Sequence, residues 1–341
     1  MNGAARLAAA ILVAGAMTVS ADPVLLSFDD LEGWGGDDPA PALAAFQTTC
    51  AQLDPVDWDT VCSGADDAPS ARAFFEAHFL PVLMAPTETA LFTGYYEPEI
   101  VASRTRRAGF ETPLYRAPPE MPRGRPWLTR AQIENERPLA GRGLEIAWVH
   151  DPVEAFFLQV QGSGRLQLQD GGVIRVGFAA KNGHPYRSVG QELIRRGLFE
   201  AHRVSAARIA RWVASNPRDG KRLLQHNPSF IFFREVNEVP PEMGPLGAMN
   251  RSVTPGRSIA VDPAHVPLGA PVWIEKEGAA PIRRLMIAQD TGSAIKGPQR
   301  ADIFFGTGDE AGRIAGRIRD GGRMVVLMPR PLALKVTGQA G

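Results

Sequence analysis

The sequence predicts a mainly β fold with peripheral helices, organised as two domains. The chain of 341 residues is long enough for two domains of ordinary size, each burying its own core. Its 35 Gly and 29 Pro supply turns in numbers that suit short strands better than a helical bundle. Short apolar runs of strand length recur through the second half. With 37 Lys+Arg against 37 Asp+Glu the formal charge is zero, which argues against a nucleic-acid partner. At 44% hydrophobic and 22% charged, the composition is that of a soluble globular protein.

The first 21 residues read as an export signal. Arg6 supplies a positive start, Leu7 to Met17 is an apolar run too short to span a bilayer, and Val19-Ser20-Ala21 offers a small-residue cleavage site. A periplasmic mature chain without a transmembrane segment is therefore expected. No cysteine lies near that site, so a lipid-modified N-terminus is not expected. Cys50 and Cys62 are the two cysteines, and in an exported protein such a pair more often forms a disulfide than a metal site, with two buried thiols as the alternative. His184 and His265 are isolated, and neither a metal nor a cofactor is assigned.

From 22 to 100, helices are expected over Leu43 to Leu53 and Ala71 to Leu80, the second ended by Pro81; a strand over Ala90 to Tyr96 is halted at Glu97-Pro98. The zone 101–238 opens with a Pro- and Arg-rich stretch, Arg104 to Arg125, read as loop. A β-meander is expected next, from Leu158 and Val160 through Leu166 and Leu168 to Ile174, Val176 and Phe178, punctuated by Gly162-Ser163-Gly164 and Asp170-Gly171-Gly172. Ser188 with Gln191 reads as a capping box, Gly197 as the end of that helix, and a second helix runs from Ser205 to Ala214 and stops at Asn216-Pro217. Five short strands are read in 239–330: Ser258 to Val261, Val272 to Glu275, Arg284 to Ala288, Ala301 to Phe305 and Met324 to Met328. One helix lies between the last two, with Ala311, Ile314, Ala315 and Ile318 as its buried face. Short strands around one helix suggest a small barrel, followed by a tail at 331–341.

Candidate chemistry is densest from Gln289 to Gly306, where Asp290 and Asp302 flank a Gly-containing loop. Asp302 sits in an apolar strand between Ala301 and Ile303-Phe304-Phe305. Loss of solvation raises a carboxyl pKa there, which suits a general acid. The same residue could equally accept backbone hydrogen bonds at a strand edge. Asp290-Thr291-Gly292-Ser293 matches the aspartic-protease signature, but that chemistry needs a second such motif, and none occurs.

The Asp290 to Gly306 block, with Ala260-Val261-Asp262-Pro263 and Pro267-Leu268-Gly269, resembles the 3D domain. Adding Phe92-Thr93-Gly94-Tyr95-Tyr96, Gln161-Gly162-Ser163-Gly164 and Asn227-Pro228-Ser229-Phe230, the chain from about 85 to 330 resembles the membrane-bound lytic murein transglycosylase A family. The resemblance implies a double-psi β-barrel carrying a second, inserted β domain, with a groove between them. It implies cleavage of the MurNAc-β-1,4-GlcNAc bond of peptidoglycan glycan strands, leaving a 1,6-anhydro end, with Asp302 as the single catalytic aspartate and Asp290 beside it. Thr93 and Tyr95 match groove positions, and other cell-wall enzymes become conceivable partners of a monomer.

Among the remaining polar residues, Glu97 is either a second acid or a solvated strand end. Gln161, Ser163 and Asn227 sit at turns and suit hydroxyl and amide recognition. Lys296, Arg300 and Arg165 suit carboxylates of the substrate or a solvated basic rim. A glycan hydrolase pairing Asp302 with Glu97 or Asp290, and a non-catalytic wall-binding protein like an expansin, are the competing functions.

Overall fold

In the computed structural model, residues 22–66, 68–200 and 203–339 are described. The expected export signal lies outside them. In chain order, the first part holds β1 (Val24–Leu25), α1 (Ala40–Gln47), α2 (Pro55–Ala65), α3 (Ala71–His78), β2 (Phe79–Leu83) and β3 (Ala90–Glu97). A contiguous block follows with β4 (Glu99–Ser103), β5 (Thr112–Tyr115), α4 (Arg130–Glu136), β6 (Glu145–Val149), α5 (Pro152–Gln161), β7 (Gly164–Leu168), β8 (Val173–Lys181), α6 (Val189–Arg195), α7 (Ala206–Ser215), α8 (Pro217–Gln225) and β9 (Ile231–Glu235). The last part holds β10 (Ser258–Val261), β11 (Pro271–Lys276), β12 (Ile282–Thr291), β13 (Arg300–Thr307), α9 (Gly308–Ala315), β14 (Arg319–Pro329) and α10 (Arg330–Val336).

These strands form two sheets. The eight-stranded sheet runs β1-β2-β14-β11-β12-β10-β13-β3, and a further pairing of β14 with β3 closes six of its strands into a ring. Within it β10–β12 and β13–β3 are parallel, and Asp302 of β13 stands opposite Thr93 of β3. The six-stranded sheet, β5-β6-β4-β7-β8-β9, is built wholly from the middle block. A mainly β fold with a second domain results.

Each sheet has its own core. The core of the eight-stranded sheet holds Trp273, Phe92, Ile259, Ile287, Ile303 and Met324, and it includes an aromatic cluster of Phe46, Trp58, Phe74, Phe75 and Phe79 from α1 to β2. A disulfide between Cys50 and Cys62 ties α2 to the turn after α1. In the other sheet Ile100, Ile146, Leu158, Leu166, Val176 and Phe233 pack together. Close packing also explains Gly94: a Cβ there would lie 2.7 Å from the Ala315 backbone, so β3 accepts α9 against it only as glycine.

Several expectations fail for identifiable reasons. Leu158 and Val160 lie in helix α5, not in a meander strand. Asp151 caps the Val153 N–H at 2.7 Å, Pro152 opens the helix, and Gly162 ends it in the left-handed region at φ 83°. Pro81 ends no helix: α3 stops at His78 and Pro81 lies within β2, its carbonyl accepting the Leu26 N–H at 2.9 Å. The first helix is shorter than expected, Ala40–Gln47 followed by a 3-10 turn at Cys50–Gln52. The stretch read as loop carries β5, and although α7 stops at Asn216-Pro217 as expected, Pro217 also opens α8, which was not expected, at the position where its missing N–H costs nothing. Ser188 receives the Gln191 N–H as one half of a capping box. Ile314 is exposed at 37%, leaving Ala311 and Ala315 as the buried face of α9. The tail from 331 forms α10, whose Ala333 is buried.

At the crossing between the sheets Glu97 is fully buried. Arg165 of β7 binds it at 2.8 Å and Arg175 of β8 at 3.0 Å, while the Thr307 hydroxyl donates to it at 2.9 Å. It is neither a solvated strand end nor a free acid. Glu97→Ala would leave the mostly buried Arg175 cation uncompensated, and should lower unfolding stability by about 3–5 kcal/mol in denaturant titration.

Candidate active site

Asp302 opens onto a cavity of about 230 Å3. Arg300 and the loop of residues 292–295 line it from the ring side. Arg130, Gln159, Tyr186, Asn227 and Ser229 face them from the second domain. Asp302 is half-buried, and desolvation holds its carboxyl above the ordinary aspartate range, against the lowering effect of the Thr93 hydroxyl and the Arg300 cation.

Asp302 is hydrogen-bonded on one oxygen. Arg300 Nη2 lies 2.7 Å from Thr93 Oγ1, and Thr93 Oγ1 lies 2.5 Å from Asp302 Oδ1. A guanidinium only donates. With Asp302 ionised, Thr93 accepts from Arg300 and donates to Asp302 Oδ1, which leaves Oδ2 without a hydrogen-bond partner among the described residues. The β13–β3 register that puts Thr93 opposite Asp302 makes this arrangement possible.

Asp290 ends β12 nearby. Its Oδ1 accepts the N–H groups of Ala248 at 3.0 Å and Thr291 at 2.8 Å, yet burial still raises its pKa from 3.8 to about 6. Tyr95 is packed rather than open to the cavity. It lies with Val253, Ala260, Ile295 and Phe304 in a small core, and its hydroxyl faces Asp290 without a hydrogen bond of regular geometry. Burial pushes that phenol well up.

The opposing wall is held by Arg130, which sequence reasoning missed. Thr129 and Gln132 cap α4 reciprocally, and that capping box was a legible signal for the helix that presents Arg130. The guanidinium is buried between the rings of Phe156 and Phe230, at 4.8 and 5.1 Å. It donates to Asn227 O at 3.2 Å, Ser229 O at 2.8 Å and Gln159 Oε1 at 2.6 Å. The Asn227 side-chain oxygen is taken by the Ser229 and Arg187 N–H groups, both at 3.1 Å, which leaves its amide N–H groups for a ligand.

The structure thus brings Asp302, Thr93, Arg300 and Asn227 together, with Asp290 and Tyr95 behind them. Other candidates lie elsewhere. Gln161 receives the Tyr96 N–H at 3.1 Å, Ser163 is buried at the start of β7, and Glu97 is enclosed in its ion pairs. Arg165 is bound to Glu97 rather than forming a solvated rim. Lys296 is exposed and pairs with Asp262 at 3.2 Å, helping Asp262 to pin the loop through the Gly297 N–H.

Comparison with known proteins agrees with this layout. The family model of the MltA specific insert domain matches residues 91–234 and that of the 3D domain matches 257–328. The membrane-bound lytic murein transglycosylase A of Escherichia coli K12 is 37% identical over 251 residues, 70% of this chain and 66% of the relative, so the chain spans just under two thirds of that protein. The crystal structure of the membrane-bound lytic murein transglycosylase from Agrobacterium tumefaciens superposes with a TM-score of 0.84 at 33% identity, covering 92% of this chain and 99% of that one. The E. coli MltA structure with bound chitohexaose gives 0.73 at 30% identity, covering 90% and 94%. By sequence, by domain content and by fold, the chain belongs to the membrane-bound lytic murein transglycosylase A family.

Proposed function

We propose that this protein is a peptidoglycan lytic transglycosylase that cleaves the MurNAc-β-1,4-GlcNAc bond with Asp302 as its only acid and base. The observation that carries this reading is the poorly solvated Asp302 carboxyl at a cavity between two domains, bonded on one oxygen alone. The ring is read as a double-psi barrel, with residues 101–238 as the inserted domain and the cavity as part of a groove for a glycan strand. The chitohexaose bound by the E. coli relative supports a groove of that chemistry. The export signal expected from residues 1–21 supports a periplasmic location.

The reaction needs one carboxyl. Neutral Asp302 gives its proton to the glycosidic oxygen, and the C1–O4 bond breaks with GlcNAc leaving as the alcohol. The muramyl 6-hydroxyl attacks C1, forms the C1–O6 bond and returns its proton to Asp302. Proximity replaces an external nucleophile, and no water is consumed. The Asp290 carboxylate stabilises the positive charge that develops at C1. A two-carboxylate hydrolase would need a second free acid. Glu97, whose carboxylate is held by two arginines and Thr307, does not supply it.

Asp302→Asn should keep the fold and glycan binding while kcat drops roughly 10³-fold. Mass spectrometry of digested sacculi provides the readout: ends that resist borohydride support the lyase, and reducible ends support a hydrolase. Arg300→Met removes a cation that lowers the Asp302 pKa. The acid then stays protonated to higher pH, and the alkaline limb of the kcat profile should move upward. For Asp290, a folded pKa near 6 against 3.8 means stability present below pH 4 is lost as pH rises to about 6. Asp290→Asn should abolish that decline and be more stable to unfolding than wild type by about 3 kcal/mol at pH 7, while turning over more slowly.

A further inference from the structure

A second cavity, of about 520 Å3, lies wholly within the second domain, and the reaction at Asp302 makes no use of it. Four elements converge on it. α4 contributes Ile133, α5 contributes Val153 and Phe156, and α7 and α8 contribute Val213 and Leu224, all buried apolar side chains. Its size and apolar floor are those of a small-ligand site.

The charges on its lining define the chemistry of an occupant. Glu134 is held by Arg130, and Asp151 is spent on the Val153 N–H. Three cations remain without a carboxylate partner among the described residues: Arg106, stacked 5.9 Å from the Trp148 ring, Arg137 and Lys221. Glu111 is the one acid left free beside them. Three cations over an apolar floor suit a ligand with at least two carboxylates and small aliphatic groups, and Glu111 suits a single ammonium.

The cavity is not remote from Asp302. Arg130 and Gln159 line both cavities, so one layer of side chains separates them. We propose that this pocket binds a short acidic peptide of small residues, the kind of peptide that peptidoglycan carries on its muramyl lactate. The attribution to substrate rests on the function proposed above. The pocket itself does not.

The test uses the mature protein, a variant Arg137→Glu/Lys221→Glu, and Val213→Trp, which fills the cavity. None of these residues lines the Asp302 cavity. The probe is the tetrapeptide L-Ala-γ-D-Glu-meso-diaminopimelate-D-Ala, free in calorimetry and attached to glycan strands in turnover assays, with peptide-free strands as the control. Saturable binding of the free peptide, weakened roughly tenfold or more in both variants, supports the site. A parallel rise in KM on peptide-bearing strands alone, at unchanged kcat, identifies the substrate's own peptide as the occupant. Binding of the free peptide with no change in KM identifies a released peptide instead. No saturable binding, or binding unaltered by both variants, overturns the proposal. Absence of turnover on both kinds of strand would sink the transglycosylase reading and leave the calorimetric result standing.

Discussion

The chain of contacts from Arg300 through Thr93 to Asp302 governs the rest of the site. With the carboxylate ionised, Thr93 accepts from Arg300 and donates to Asp302 Oδ1, and Oδ2 is left without a bond of its own among the described residues. None of this would hold without register. The parallel pairing of β13 with β3 sets Asp302 opposite Thr93, although the two residues are 209 positions apart. A slip of one residue would turn Thr93 to the other face and leave the carboxyl with no donor. The fold therefore supplies the hydroxyl at Oδ1, which local sequence could not.

Buried charge is distributed according to function. Glu97 sits between two arginines and a hydroxyl, with its lone pairs occupied. Such an arrangement suits a joint between two sheets. Asp302 and Asp290 are treated in the opposite way. Each lacks an ion-pair partner at its carboxylate, and burial lifts both pKa values. Desolvation without a salt bridge costs stability and favours the protonated form of each carboxyl. Arg130 is a third case, a cation whose desolvation is offset by two rings and three oxygens beyond its bond to Glu134, and which spends its donors on the wall facing Asp302.

The ring strands were legible because their apolar runs sit between clear turns, and Asp302 was legible because a charged residue interrupts one of those runs. The middle block was harder to read. β6 (Glu-Ile-Ala-Trp-Val) and β9 (Ile-Phe-Phe-Arg-Glu) are too short and too uniformly apolar to show a period. In α5, Leu158 and Val160 fit a strand by spacing alone, whereas the stronger signals were Asp151-Pro152 before them and Gly162 after. Glu97 gave no local sign that its partners lie 68 and 78 residues on. Arg130 was overlooked for the same reason, since its meaning lies in carbonyls 97 and 99 residues away.

A site built around one carboxyl places its demands on shape. A hydrolase can accept a loosely held sugar, because water reaches the anomeric carbon from many directions. An intramolecular attack succeeds only if the muramyl ring is held with its 6-hydroxyl over C1, which asks for rigid contacts on both faces of the sugar. The two walls of the Asp302 cavity suit that demand. One is a strand of a closed ring, and the other is a loop clamped by a buried guanidinium and by Asn182, which binds the Leu128 and Pro228 carbonyls at 2.8 and 2.9 Å. Rigidity on both sides also limits the room for a competing water, which under the proposed transglycosylase reading would favour ring closure over hydrolysis.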